Sequence, residues 1–216
     1  MLIIGACGFA KEVLEVLYQL NKVDDIIFYD DINNYNKDEK IYNSFKILRT
    51  LSEAKDYLFH NDSSFTIGIG NPVLRKKTKD KFENIGGVFT SIISPLSRIG
   101  HYRNSISVGC NIMTGTVVTS NVKIKEGALI NLNCTVGHDC IIGRFVELSP
   151  GVNVSGNCVI GDYSTIGTNA TILPNITIGK NVVIGAGAVV NKNIPDNVVA
   201  VGVPSKIIKQ LPKLEI

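Results

Sequence analysis

From Ile106 to Ile184 an aliphatic residue occupies every sixth position, through Ile112, Val118, Ile130, Val136, Ile142, Val154 and Ile160. Four residues after each comes another compact side chain, among them Cys110, Thr116, Ala128, Cys140, Val146 and Ala170. A period of six fits neither an isolated helix near 3.6 nor simple strand alternation. It predicts a solenoid of short strands joined at regular corners. Three hexads would close one triangular coil of about eighteen residues, and coils would stack at about 4.8 Å, the ordinary strand spacing. The apolar positions then form one interior column, with Asn, Gly and Asp at corners and rims.

The first part of the chain has other periods. Residues 2–4 read as a short apolar strand, followed by the turn Gly5-Ala6-Cys7-Gly8 and then Val13, Leu14, Val16, Leu17 and Leu20 at helical spacing. A second strand over 26–29 ends at Asp30-Asp31, and further elements are expected at 51–58 (helix), 65–69 (strand), 73–85 (helix) and 88–93 (strand). This succession predicts an α/β domain with a short parallel sheet over residues 1–93. The β-solenoid and its cap would occupy 94–216. A terminal strand and helix should close the last coil, with 205–214 as the candidate cap.

Composition narrows the function classes. The 22 basic and 19 acidic side chains leave a net charge of only +3, which argues against a nucleic-acid surface. No basic-then-apolar leader or bilayer-length apolar run is visible, so no membrane association is expected and a cytoplasmic location is the default. Four of the five cysteines, Cys110, Cys134, Cys140 and Cys158, fall at compact positions of the hexad, where they read as buried small hydrophobes. With three dispersed histidines, no metal site is expected.

His138 lies two positions after the inward Val136, which sets it at a corner or outer surface beside Asp139. A hydrogen-bonded imidazole can take a proton near neutral pH, and a neighbouring carboxylate favours its protonated form. Gly156 occupies the same corner one coil onward. Its amide can polarise a carbonyl oxygen with no side chain in the way. Asn131 lies on the preceding face as a polar positioning group. A surface histidine without a catalytic role is the competing reading.

The opening Ile3-Ile4-Gly5-Ala6-Cys7-Gly8-Phe9-Ala10-Lys11-Glu12, then Asn131 with Val136-Gly137-His138-Asp139-Cys140, Gly156-Asn157, and Gly202-Val203-Pro204-Ser205-Lys206 carry a resemblance. In order and spacing the chain resembles the bacterial nucleotide-sugar acetyltransferases of the left-handed β-helix superfamily. These include sialic-acid-pathway O-acetyltransferases and N-acetyltransferases of aminodideoxy sugars. The resemblance implies a homotrimer with active sites between solenoids and acetyl-CoA as donor. His138 would be the base, with Asp139 orienting it. Asn131 would position the acceptor, and the Gly156 amide would meet the thioester carbonyl. A relative carries a second histidine where this chain has Glu147. Lys206, in the terminal loop, would approach the CoA phosphates.

The turn Gly5-Ala6-Cys7-Gly8 supplies only part of a dinucleotide fingerprint, so an NAD site and a purely conformational turn both stay open. The resemblance instead assigns this half to the nucleotide portion of the acceptor. It would be held by Gly5, Gly8, Phe9, Ala10, Lys11, Asp30 and Asp31, with Gly70 and Asn71 completing the crevice. The cluster Arg75, Lys76, Lys77 and Lys79 reads as a solvated helix face or as a phosphate contact. The expected activity is N-acetylation of a nucleotide-linked amino sugar, a 4-amino-4,6-dideoxyhexose. Sugar O-acetylation and a noncatalytic trimeric scaffold are the alternatives.

Overall fold

The computed structural model describes residues 1–36 and 39–215. The first unit contains β1 (Leu2–Ile4), α1 (Gly8–Gln19), β2 (Ile27–Tyr29), β3 (Lys40–Ile41), β4 (Phe45–Leu48), α2 (Leu51–His60), β5 (Ser64–Ile67), α3 (Pro72–Glu83) and β6 (Val88–Phe89). Its sheet runs β3-β4-β2-β1-β5-β6, parallel except for the β3–β4 hairpin. Helix α1 forms where Ala10, Val13, Leu14, Val16 and Leu17 fall on one buried face. Helix α2 starts at a capping box, with the Thr50 hydroxyl accepting from the Glu53 amide and the Glu53 carboxylate accepting from the Thr50 amide.

The apolar run at 88–93 does not form one strand. Val88–Phe89 closes the α/β sheet, and β7 (Ile92–Ile93) pairs with Asn111–Ile112 as the first rung of the solenoid. Two-residue strands follow from β8 (Arg98–Ile99) to β23 (Val189–Val190), sorted into three parallel sheets. Partners such as Val136↔Val154 and Ile142↔Ile160 are eighteen residues apart, so three hexads make one coil of a left-handed β-helix. The second residue of each rung points inward. Ile112, Ile130, Val136, Ile142, Leu148 and Ile166 form one buried column with Cys110, Cys134, Cys140 and Cys158. Burial pushes the Cys110 and Cys134 thiols up to about 11, so they stay protonated.

Among the described residues the expected terminal helix does not form. β24 (Val198–Val201) extends the eight-stranded face, and β25 (Lys206–Gln210) folds back on it antiparallel. An antiparallel strand satisfies the edge of the last rung directly, which a helix would leave unpaired.

The two units share packing. Asn111, outward on the eight-stranded face, donates to the Ile67 carbonyl (2.9 Å) and accepts from the Thr66 hydroxyl (3.1 Å). Leu129 on the same face packs into the core beneath α1. Helix α3 runs along one corner of the solenoid. There Arg75 is buried and donates to the carbonyls of Phe145 (2.7 Å), Val146 (2.9 Å) and Gly70.

Candidate active site

His138 and Asp139 follow rung β14 (Thr135–Val136), at the corner between the six-stranded and five-stranded faces. The backbone there is fixed from both neighbouring coils. The Asp139 amide donates to Ser120 O (3.1 Å), and the His138 carbonyl accepts from the Asn157 amide (2.8 Å). The His138 side chain is 58% exposed, and its Nδ1 lies 2.7 Å from Asp139 Oδ2. The other Asp139 oxygen accepts from Asn121 Nδ2 at 2.6 Å. The amide of Asn121 and then the imidazole hold the Asp139 carboxyl below the usual carboxylate range, so it is ionised at neutral pH. With Nδ1 committed to a carboxylate, Nε2 is the nitrogen left to take a proton.

Gly156 lies against that nitrogen. A Cβ at this position would stand 2.5 Å from His138 Nε2 and 2.6 Å from Cε1, so the imidazole occupies the space of the missing side chain. Among the described residues, the Gly156 amide donates to no protein acceptor. A proton acceptor and a free amide donor therefore meet at one exposed corner, as proton removal from a nucleophile attacking a carbonyl requires. Asn131 is on a different face. It is buried, with its Oδ1 accepting from the Leu132 amide (2.7 Å) and its carbonyl accepting from Thr116.

A second site lies at the carboxyl ends of β1, β2 and β5. This crevice of about 510 Å³ is lined by Gly5, Phe9, Asp30, Asp31 and Gly70, together with Tyr29, Ile69, Leu74, Thr78 and Lys81. Gly5 turns the chain out of β1 at φ 98°, a conformation that favours glycine. Asp30 is already committed: its two oxygens accept from the amides of Ala6, Ile32 and Asn33, the Asn33 side chain and the Tyr35 hydroxyl. Burial opposes its charge, but these donors outweigh burial and lower its pKa. Asp31 is the more available acid, bonded through Oδ2 to Lys81 Nζ (2.7 Å) and the Tyr29 hydroxyl (2.8 Å).

Four residues expected in this crevice do not line it. Ala10 is buried in the core under the sheet. Gly8 and Lys11 line a separate groove beside Tyr18, Tyr42 and Phe45, and Lys11 Nζ sits 5.5 Å above the Tyr42 ring. Asn71 caps α3 by accepting from the Leu74 amide (3.0 Å). The basic cluster also divides. Arg75 is interior, Lys76 pairs with Asp80, Lys79 bridges Glu83 and Glu126 (3.0 Å each), and only Lys77 is an open face. Lys81 is the cation that reaches the crevice. Lys206 opens the exposed terminal strand on the eight-stranded face, remote from the His138 corner.

Glu147 joins crevice to solenoid. It projects from rung β16 (Glu147–Leu148) of the eight-stranded face, and its Oε1 lies 3.5 Å from where a Cβ on Gly70 would be. Burial raises its pKa, against the pull of Arg75. The crevice therefore abuts one face of the prism, while His138 sits on the corner opposite that face. Within one chain the two sites do not meet.

A β-helix built on hexads, with a histidine–glycine corner and an added α/β crevice, defines a hexapeptide-type acyl transferase. The family model for the PglD N-terminal domain matches residues 1–82, and that for the bacterial transferase hexapeptide (six repeats) matches 157–192. The acetyltransferase domain of PglB from Neisseria gonorrhoeae, solved with acetyl coenzyme A, is 31% identical, with 96% of this chain and 98% of that one covered and a TM-score of 0.85. WeeI from Acinetobacter baumannii AYE gives the same identity, coverage and score. A perosamine N-acetyltransferase variant from Caulobacter crescentus, solved with CoA and GDP-perosamine, is 27% identical over 97% and 96% of the chains, with a TM-score of 0.87. No curated protein matches in a sequence comparison. The chain belongs to the bacterial hexapeptide-repeat acetyltransferases related to nucleotide-sugar N-acetyltransferases.

Proposed function

We propose that this enzyme transfers the acetyl group of acetyl-CoA to the amine of a nucleotide-linked amino sugar, a 4-amino-4,6-dideoxyhexose. The observation that carries the mechanism is the contact of His138 Nε2 with the bare backbone at Gly156. The acceptor amine attacks the thioester carbonyl as Nε2 takes its proton. Asp139 holds Nδ1 and stabilises the imidazolium. The Gly156 amide donates to the oxyanion, and collapse expels CoA thiolate, which recovers the proton from His138. No covalent enzyme intermediate is needed. Cys140, two residues away, is buried and its Sγ is turned to the Ser155 carbonyl.

The acceptor's nucleotide occupies the crevice around Gly5, Phe9, Asp31, Gly70 and Lys81, where the ammonium group favours a diphosphate. In this reading Asn131, on the face that the crevice abuts, positions the acceptor from the crevice-bearing subunit, and Lys206 approaches the CoA phosphates away from the thioester end. The separation of crevice and His138 on one chain supports a homotrimer in which a crevice faces the histidine of a neighbouring subunit.

Incubation with acetyl-CoA and a panel of nucleotide-linked amino sugars, read by product mass, tests the assignment. An increment of one acetyl group stable to mild base supports N-transfer, whereas a base-labile acetyl would mean a hydroxyl acceptor. His138→Ala should lose turnover by about 10²- to 10⁴-fold with assembly unchanged.

A further inference from the structure

The corner that carries His138 repeats every coil, and its second residue takes a left-handed backbone each time: Arg103 (φ 57°), then Asn121 (55°), Asp139 (59°), Asn157 (60°) and Asn175 (63°). Asparagine tolerates this conformation and stacks well, and Asn181 donates to Asn197 (2.9 Å) at another corner. Asp139 is the one acid in this row, with asparagines on either side of it. The rung bond from Asn121 therefore ends on the carboxylate that holds the imidazole.

Asp139 needs such a restraint. Its side chain is 45% exposed. An exposed carboxylate samples several rotamers, and only one places Oδ2 against Nδ1. Asn121 Nδ2, at 2.6 Å from Oδ1, selects that rotamer from the coil below without adding charge. Asn121 is itself anchored, its amide donating to Tyr102 O at 2.8 Å.

We infer that Asn121 is a positioning residue for the transfer reaction, fixing Asp139 so that His138 keeps its proton on Nδ1 and presents a basic Nε2 above Gly156. This rests on His138 acting as the base. A carboxamide is suited to the task because it donates to Oδ1 while staying neutral. A carboxylate there would repel Asp139, and an alkyl chain would leave it loose.

Asn121→Gly removes the amide and keeps a residue suited to left-handed φ, so the corner is preserved. It should lower kcat about tenfold, with both KM values within about twofold and the melting temperature nearly unchanged. Combined with Asp139→Asn it should cost nothing further, because the carboxylate it orients is gone. With only three histidines in the chain, ring ¹⁵N shifts report the His138 tautomer without turnover: single Nδ1–H in the native protein, mixed in Asn121→Gly. An unchanged tautomer, or an equal loss in the Asp139→Asn background, would overturn the inference. If the native protein acetylates no acceptor, the functional reading fails, but the tautomer experiment still decides the role of Asn121.

Discussion

Gly156→Ala isolates the geometry of the proposed base. The new Cβ would sit 2.5 Å from His138 Nε2 and 2.6 Å from Cε1, against an ordinary contact near about 3.5 Å, so the ring must retreat by about 1 Å. The imidazole then leaves the position in which its Nδ1 lies 2.7 Å from Asp139 Oδ2. A displacement of this size costs about 10²-fold in rate, or about 2.7 kcal/mol in the barrier. Backbone strain adds little, since Gly156 lies outside the left-handed region and the ring it displaces is exposed. The expected outcome is a loss of about 10²-fold in kcat/KM with the melting temperature within about 2 °C of the parent. In a His138→Ala background the same change should cost less than about twofold. Full activity in Gly156→Ala, or an equal loss without the imidazole, would refute the account of this corner.

Other consequences can be measured independently. Arg75→Met removes the charged donor from the carbonyls of Phe145 and Val146 and should lower stability by about 3 kcal/mol or more in urea unfolding. Lys81→Ala frees Asp31 and should raise KM for the nucleotide-linked sugar about tenfold while leaving KM for acetyl-CoA unchanged in steady-state assays. Burial raises the Glu147 pKa, so its charged form costs stability, which is lost as pH rises through the folded-state value. Glu147→Gln should therefore melt above the parent at neutral pH, with the gap closing on acidification below the ordinary glutamate range.

Much of the fold is legible in the sequence because a solenoid writes its contacts at a fixed offset. The aliphatic column that includes Val136 and Ile142 gives the coil length, and the same offset brings His138 to Gly156. The contacts that escape are those between units, which no local period encodes. Arg75 reads as one cation among four, yet it is the interior donor that fastens α3 to the solenoid. Asp30 reads as a crevice residue because it ends a strand; it lines the crevice, and its carboxylate also accepts from the amides of Ile32 and Asn33, an Asx pattern visible in principle from Asp30-Asp31-Ile32-Asn33. Residues 88–93 look like one strand because both halves are apolar. They divide because each half completes a different sheet. Lys206–Gln210 has no period long enough to separate strand from helix, and the open edge of β24 decides it.

In the proposed trimer, transfer takes place between a crevice on one subunit and the His138 corner of another. It is tested most directly by mixing two inactive variants, His138→Ala and a crevice-blocked Leu74→Trp, after dissociation and reassembly. Leu74 lines the crevice and is 51% exposed, so the larger ring fills the site without entering the core. An equal random mixture leaves about one interface in four with both an intact crevice and an intact histidine, so about a quarter of native activity should return. Reassembled oligomers that remain as inactive as either parent would contradict the account.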